Sequence, residues 1–338
     1  MKRILEMVAV LAVGMGGSVR GQATSFKLVK VIPVQVAGSG VDYLAFDEGA
    51  RRMYVTHGTS VVVVDVDQGA VVGKIEGMNR VHGVAITPFH HGFVTSGNSS
   101  TVRMFDLKTL ATLKDIPAEG TPDGLVYEPM TARVFAFDHK TGVMTVIDAK
   151  TGDVAGTAAL GGMPEFPATD GKGLVWVNQE DKSTLIKIDA KTMKPVASWP
   201  DAPCEGPTGM AMDGKTRMLF VGCGNEKMAA IMADSGKVVA TVPIGVHTDA
   251  THFDAAKKLI FNANRSNVTV VRMDGPEKFT VVQNYETLGR ANTLALDLKK
   301  HHVWAAGTLQ AADMEKLPAG VDKGMFKVGM FVVMEFAE

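Results

Sequence analysis

Apolar and polar residues alternate along this chain in short bursts, and the bursts recur with a period of about forty residues. Each unit begins with an extended run ending near Asp, followed by a turn and a strand such as Tyr54-Val55-Thr56. A polar loop, a Val/Ile-rich strand closing on Asp, a Gly-bearing turn and a last strand complete it. The first strands of the seven units are expected at Val41–Asp47, Val81–Thr87, Pro122–Glu128, Glu165–Asp170, Pro207–Asp213, Asp249–Asp254 and Asn292–Asp297. The third strands stand out most, at Ser60–Asp65, Thr101–Asp106, Val143–Asp148, Thr184–Asp189, Ala229–Ala233, Val268–Met273 and Met330–Glu335. Turns such as Asp67-Gln68-Gly69 and Lys150-Thr151-Gly152 supply the positive φ of a tight hairpin and do not read as a phosphate loop.

A unit of this length makes one four-stranded sheet, which cannot bury both its faces alone. Seven such sheets close into a ring, so the pattern predicts an all-β fold, a seven-bladed β-propeller. The seventh unit lacks a fourth strand, and Phe26–Val36 reads as a strand ahead of the first unit. The expected solution is an N-terminal strand that completes the last blade and removes an open edge.

Composition changes the picture in three ways. Met1, Lys2 and Arg3, the apolar Met7–Gly17 and the small residues at Gly21-Gln22-Ala23 read as a signal peptide over residues 1–23, which places the protein in the periplasm or outside the cell. The remaining chain, residues 24–338, is then one propeller domain without a membrane span, expected as a monomer. The 35 basic and 36 acidic residues give a net charge of −1, and loss of Lys2, Arg3, Arg20 and Glu6 takes it to −3, which argues against nucleic acid as a partner. Cys204, in the connection leaving the fourth blade, and Cys223, at the end of the fifth blade's second strand, fall on the same face, so export permits a single disulfide.

The segments Tyr54-Val55-Thr56-His57, Phe93-Val94-Thr95-Ser96 and Val143–Gly152 give the chain a resemblance to the exported bacterial YVTN-repeat β-propellers, or YncE-like proteins. The resemblance covers nearly the whole mature chain and implies the fold; it implies no single activity. The fourth motif position varies (His57, Ser96, Asp138, Gln179), so it carries no uniform ligand.

Candidate chemistry gathers where a propeller places side chains around its channel. The column at the start of the first strands reads Asp42, His82, Asp123, Glu165, Thr208, Asp249 and Asn292, polar at every blade. Two positions earlier stand Arg80, His247 and Arg290, expected by strand alternation to share the same mouth. Four carboxylates on one ring repel unless a cation, the arginines or raised pKa values relieve them. One reading is a solvated channel whose short polar groups bond to backbone; the other is a bound small molecule or divalent metal. Oxygen ligands from Asp42, Asp123, Glu165 and Asp249 suit calcium or magnesium, and addition of His82 and His247 admits zinc, manganese or iron.

Other polar features read as structural. A second acidic column, Asp47, Glu128, Asp170, Asp213, Asp254 and Asp297, ends the first strands and suits turn formation. The pairs His90-His91 and His301-His302 point to opposite faces and cannot grip one ion. An insertion at Ala306–Pro318 is a candidate lid or a surface loop. Two functions follow: an exported binding module for a small molecule or an exported protein, or a lactonase-like hydrolase with Glu165, His82 or His247 as base and Arg290 at the oxyanion. No haem-attachment motif is present, and haem and quinone cofactors are not expected.

Overall fold

A computed structural model describes residues 25–34 and 40–338; the signal segment expected over residues 1–23 lies outside them. The described residues form seven four-stranded antiparallel sheets. Their innermost strands are Val41–Asp47, Val81–Ile86, Pro122–Glu128, Pro164–Thr169, Pro207–Asp213, Ala250–Asp254 and Leu294–Asp297. Each packs beside the next, and the seventh returns to the first, so the sheets close as the blades of a propeller.

Burial explains why the sequence reads as it does. Middle strands are sandwiched between neighbouring blades, so both their faces are covered, and Ser60–Asp65 carries four consecutive fully buried valines. Outermost strands such as Ala70–Ile75 keep one side in solvent and revert to mixed composition. Contacts between blades form discrete apolar clusters; one packs Phe135, Phe137, Met144 and Val146 of blade 3 against Val175, Val177, Ile186 and Ile188 of blade 4.

The seventh blade is closed by the opposite end of the chain. Lys27–Val34 pairs antiparallel with Phe331–Ala337, in the order expected from the missing fourth strand. Phe26 packs edge-on to Phe261 at 5.2 Å, and its backbone exchanges two hydrogen bonds with the Gln283 side chain, tying the closing strand to blade 6.

The second acidic column builds turns at the far end of the inner strands. Asp47 accepts from the amides of Gly49 and Ala50, Glu128 from Met130 and Thr131, and Asp254 from Ala256 and Lys257. Two of its members also join blades, Asp297 to Arg51 at 2.7 Å and Asp170 to Arg217 at 2.5 Å. Cys204 and Cys223 form a disulfide with Cα atoms 5.4 Å apart, inside the apolar cluster between blades 4 and 5. Among the described residues, no helix is long and apolar enough to cross a membrane.

The seventh-blade insertion is held down. It carries short 3-10 turns at Ala311–Glu315 and Lys323–Met325, while Leu309, Leu317 and Phe326 are buried in the core of blades 6 and 7. The buried Asp313 accepts from the amides of Gly289 and Gln310, pinning the insertion to the turn before the last inner strand.

Candidate functional site at the channel mouth

The start of the inner strands departs from simple alternation. In blades 1 to 5 the pairing between first and second strands shifts register between Val41 and Leu44, Val81 and Val84, Pro122 and Leu125, Pro164 and Pro167, and Pro207 and Met210. These bulges contain Asp42, His82, Asp123, Glu165 and Thr208, and a bulge re-aims the side chains it carries. Consecutive residues can therefore both serve the channel, as Asp42 and Tyr43 do.

The repeat motif supplies the supports. Thr95, third in Phe93-Val94-Thr95, donates its hydroxyl to the Asp123 carbonyl of the next blade at 2.7 Å, and Asn178 likewise bonds the Thr208 carbonyl. Gly124 lets two blades approach, since a Cβ there would overlap the Glu165 carbonyl oxygen. Backbone position at the mouth is thus fixed from one blade to the next.

Side chains from blades 1 to 4 converge there. His82 Nδ1 contacts the Asp42 carboxylate and stands 3.4 Å from Asp123 Oδ2. His139 Nδ1 lies 2.7 Å from Glu165 Oε2, and its Nε2 3.8 Å from Glu180 Oε2. The ligand atoms of Asp42, His82 and Asp123 all lie within 4.8 Å of one another, as do those of Asp123, His139 and Glu165, so each trio could hold a metal ion. The His82 side chain is only 5% exposed and that of Asp123 10%, which removes most of the water that would otherwise solvate them.

Burial and mutual repulsion mark the site electrostatically. Asp123 is pushed well above the ordinary carboxylate range by desolvation and then by Glu165, Asp42 and Asp249, with Arg80 opposing. Asp249 is raised by desolvation and by Asp42, Glu165 and Glu180. Its Oδ2 accepts from Asn292 Nδ2 at 2.5 Å, so this pair satisfies itself. Contact with Glu165 raises His139, against the opposing effect of burial.

Beside the carboxylates, rings from several blades meet. Tyr43 stacks on Phe166 with centroids 5.3 Å apart, and Phe166 meets His252 edge-on at 6.1 Å, joining blades 1, 4 and 6 across the axis. The Tyr43 hydroxyl is buried without a hydrogen-bond partner, and desolvation followed by Glu165, Asp123, Asp42 and Asp249 raises its pKa well above the tyrosine norm. His252 is pushed down to about 4 by burial and stays neutral.

Not every residue of the sequence column joins this group. Thr208 donates to the Thr248 carbonyl at 2.6 Å and serves the backbone. Arg80, His247 and Arg290 are not placed by strand alternation: each has a positive φ (56°, 54° and 57°) in the turn before its inner strand and is exposed, and Arg80 lines a recess at the mouth together with Asp42 and His82. His247 and Arg290, with Arg265, Asn292 and Gln310, line a separate recess of about 760 Å³ beside the mouth, bordered by the insertion. His247 is in neither metal-compatible trio.

Sequence reasoning missed His139, Glu180 and Tyr43. A signal for the first two existed: the position after the fourth motif residue reads Gly58, Gly97, His139, Glu180, Gly224 and Arg265, so blades 3 and 4 replace glycine with a metal-competent side chain. The loop bearing His139 is fixed by Asp138, whose buried carboxylate accepts from the amides of Thr121, Lys140 and Thr141.

Solved structures resemble this one over most of its length. Hydrazine synthase from Kuenenia stuttgartiensis superposes with a TM-score of 0.71 at 14% identity, covering 81% of this chain and 94% of that one. U3-55K gives 0.73 at 9% identity over 90% and 98% of the two chains, and the RRP9 WD40 repeats give 0.74 at 9% over 93% and 100%. What they share is the fold. No protein-family model matches the chain, and no curated protein matches it in sequence. At such identity the site residues must be argued from their own geometry.

Proposed function

We propose that this chain is an exported propeller of the YVTN-repeat, YncE-like kind that acts as a binding module, and that its channel mouth takes a divalent metal ion. The observation that carries the reading is the convergence of Asp42, Asp123 and Glu165 with His82 and His139 at ligand spacing. Such a set, largely shielded from water, gains most from a cation that relieves the repulsion lifting Asp123. Imidazoles among the carboxylates favour manganese, iron, cobalt or zinc over calcium and magnesium. Export and a periplasmic or secreted location rest on the composition of residues 1–23, and the Cys204–Cys223 disulfide suits an oxidising compartment.

A thermal melt tests the metal. An ion present at one hundred times its Kd stabilises the folded state by about 2.7 kcal/mol, which for a chain of this size raises the melting temperature by about 5 °C. Manganese or zinc is expected to give that rise in the wild type and little in Asp123→Asn. A wild-type midpoint unmoved by any of calcium, magnesium, manganese or zinc sinks the proposal.

A second reading, a lactonase-like hydrolase, is favoured by one observation. His139, partly exposed at the mouth, is held by Glu165 as a base is held by an orienting carboxylate. A panel of lactones and esters decides it: turnover lost in both His139→Gln and Glu165→Gln supports this reading, and turnover absent from the wild type or unchanged in both variants removes it.

A further inference from the structure

We infer that the channel mouth is built for two divalent ions bridged by the Asp123 carboxylate. The inference rests on the metal-binding reading above and gives it a definite stoichiometry. Asp123 is common to both trios, with Asp42 and His82 on one side and His139 and Glu165 on the other. Each side thus brings one imidazole and one carboxylate of its own, drawn from blades 1 and 2 in the first case and blades 3 and 4 in the second. A carboxylate can give one oxygen to each of two ions about 3.5–4 Å apart, the spacing common in two-metal sites.

Charge argues the same way. Arg80 and a single divalent ion, set against the carboxylates of Asp42, Asp123, Glu165, Glu180 and Asp249, would leave two negative charges, which a second ion would balance. Asp249, whose Oδ2 accepts from Asn292 Nδ2, stands outside both trios.

The fold also fixes the shared ligand in place. Asp123 is locked at its carbonyl by Thr95 and followed by the glycine that packs on the Glu165 carbonyl, so the two halves are built at a set separation. The Tyr43 hydroxyl, buried and without a partner among these carboxylates, is an independent sign that a ligand belongs here.

The purified chain equilibrated with MnCl2 and analysed for metal should hold two manganese ions per molecule, with an exchange-coupled electron paramagnetic resonance spectrum. His82→Ala and His139→Ala should each reduce this to one ion and restore the spectrum of an isolated ion, while Asp123→Asn loses the coupling. Melting curves show that each variant is folded; should one fail to fold, the wild-type stoichiometry and coupling decide alone. One ion per chain, or two without coupling, overturns the bridged centre and leaves the simpler cation site standing. No bound manganese, together with a melting midpoint that calcium, magnesium and zinc also leave unmoved, overturns both.

Discussion

A chain begun at Gly40 is expected not to fold. The missing strand, Lys27–Val34, is the outermost of the seventh blade, and no other described segment pairs with Phe331–Ala337 on that side. Phe26, Val31, Ile32 and Val34 are each at most 7% exposed, and burying four such side chains contributes about 6–12 kcal/mol, comparable with the whole stability of an ordinary domain. Loss of the strand also opens the edge of Phe331–Ala337, an aggregation template seven residues long. Circular dichroism should show no cooperative melt for the shortened chain and a sharp one for a chain begun at Ser25. Equal midpoints for the two would mean that the ring closes without this strand.

The second large effect concerns Asp201, at the start of the connection between blades 4 and 5. Its side chain is buried, neither carboxylate oxygen has a hydrogen-bond partner, and desolvation pushes it up to about 7. In an unfolded chain an aspartate titrates near 3.9. Between these values the folded state keeps a proton that the unfolded state has released, so stability falls as pH rises from about 4 to about 7 and levels off above. The span corresponds to a loss on the order of 4 kcal/mol. Urea titrations at a series of pH values should reveal this descent in the wild type and a flatter profile in Asp201→Asn. Parallel profiles would mean that Asp201 is hydrated or paired in solution.

Much of the architecture was legible because a propeller repeats its grammar. The valine run Ser60–Asp65 and its counterparts mark strands covered on both faces, and the absent fourth strand of the last unit anticipates the closing role of Lys27–Val34. The mouth was legible only in part. Asp42, His82, Asp123 and Glu165 fall in one column of the repeats, but the bulges that hold them break the two-residue alternation on which side-chain direction was judged. Tyr43 escaped for that reason, and Arg80, His247 and Arg290 sit in turns of left-handed backbone, where strand alternation does not set side-chain direction. His139 and Glu180 escaped because they stand on second-to-third-strand loops, where variation from glycine reads as drift until the fold brings two such loops beside Glu165.

A likeness of fold does not carry the chemistry of the mouth with it. A shared ring positions seven strand ends around an axis; it does not choose what they carry. Here three carboxylates and two imidazoles meet near the contacting rings of Tyr43, Phe166 and His252, and the repeat's own Thr95 and Asn178 hold the backbone that presents them.

Diffraction from crystals soaked in MnCl2, collected at an energy where manganese scatters anomalously, puts that arrangement to the most direct trial. The account predicts strong anomalous peaks within bonding distance of the Asp123 carboxylate, flanked by His82 and His139. A mouth that holds only water under those conditions, with the same side chains in place, would contradict it.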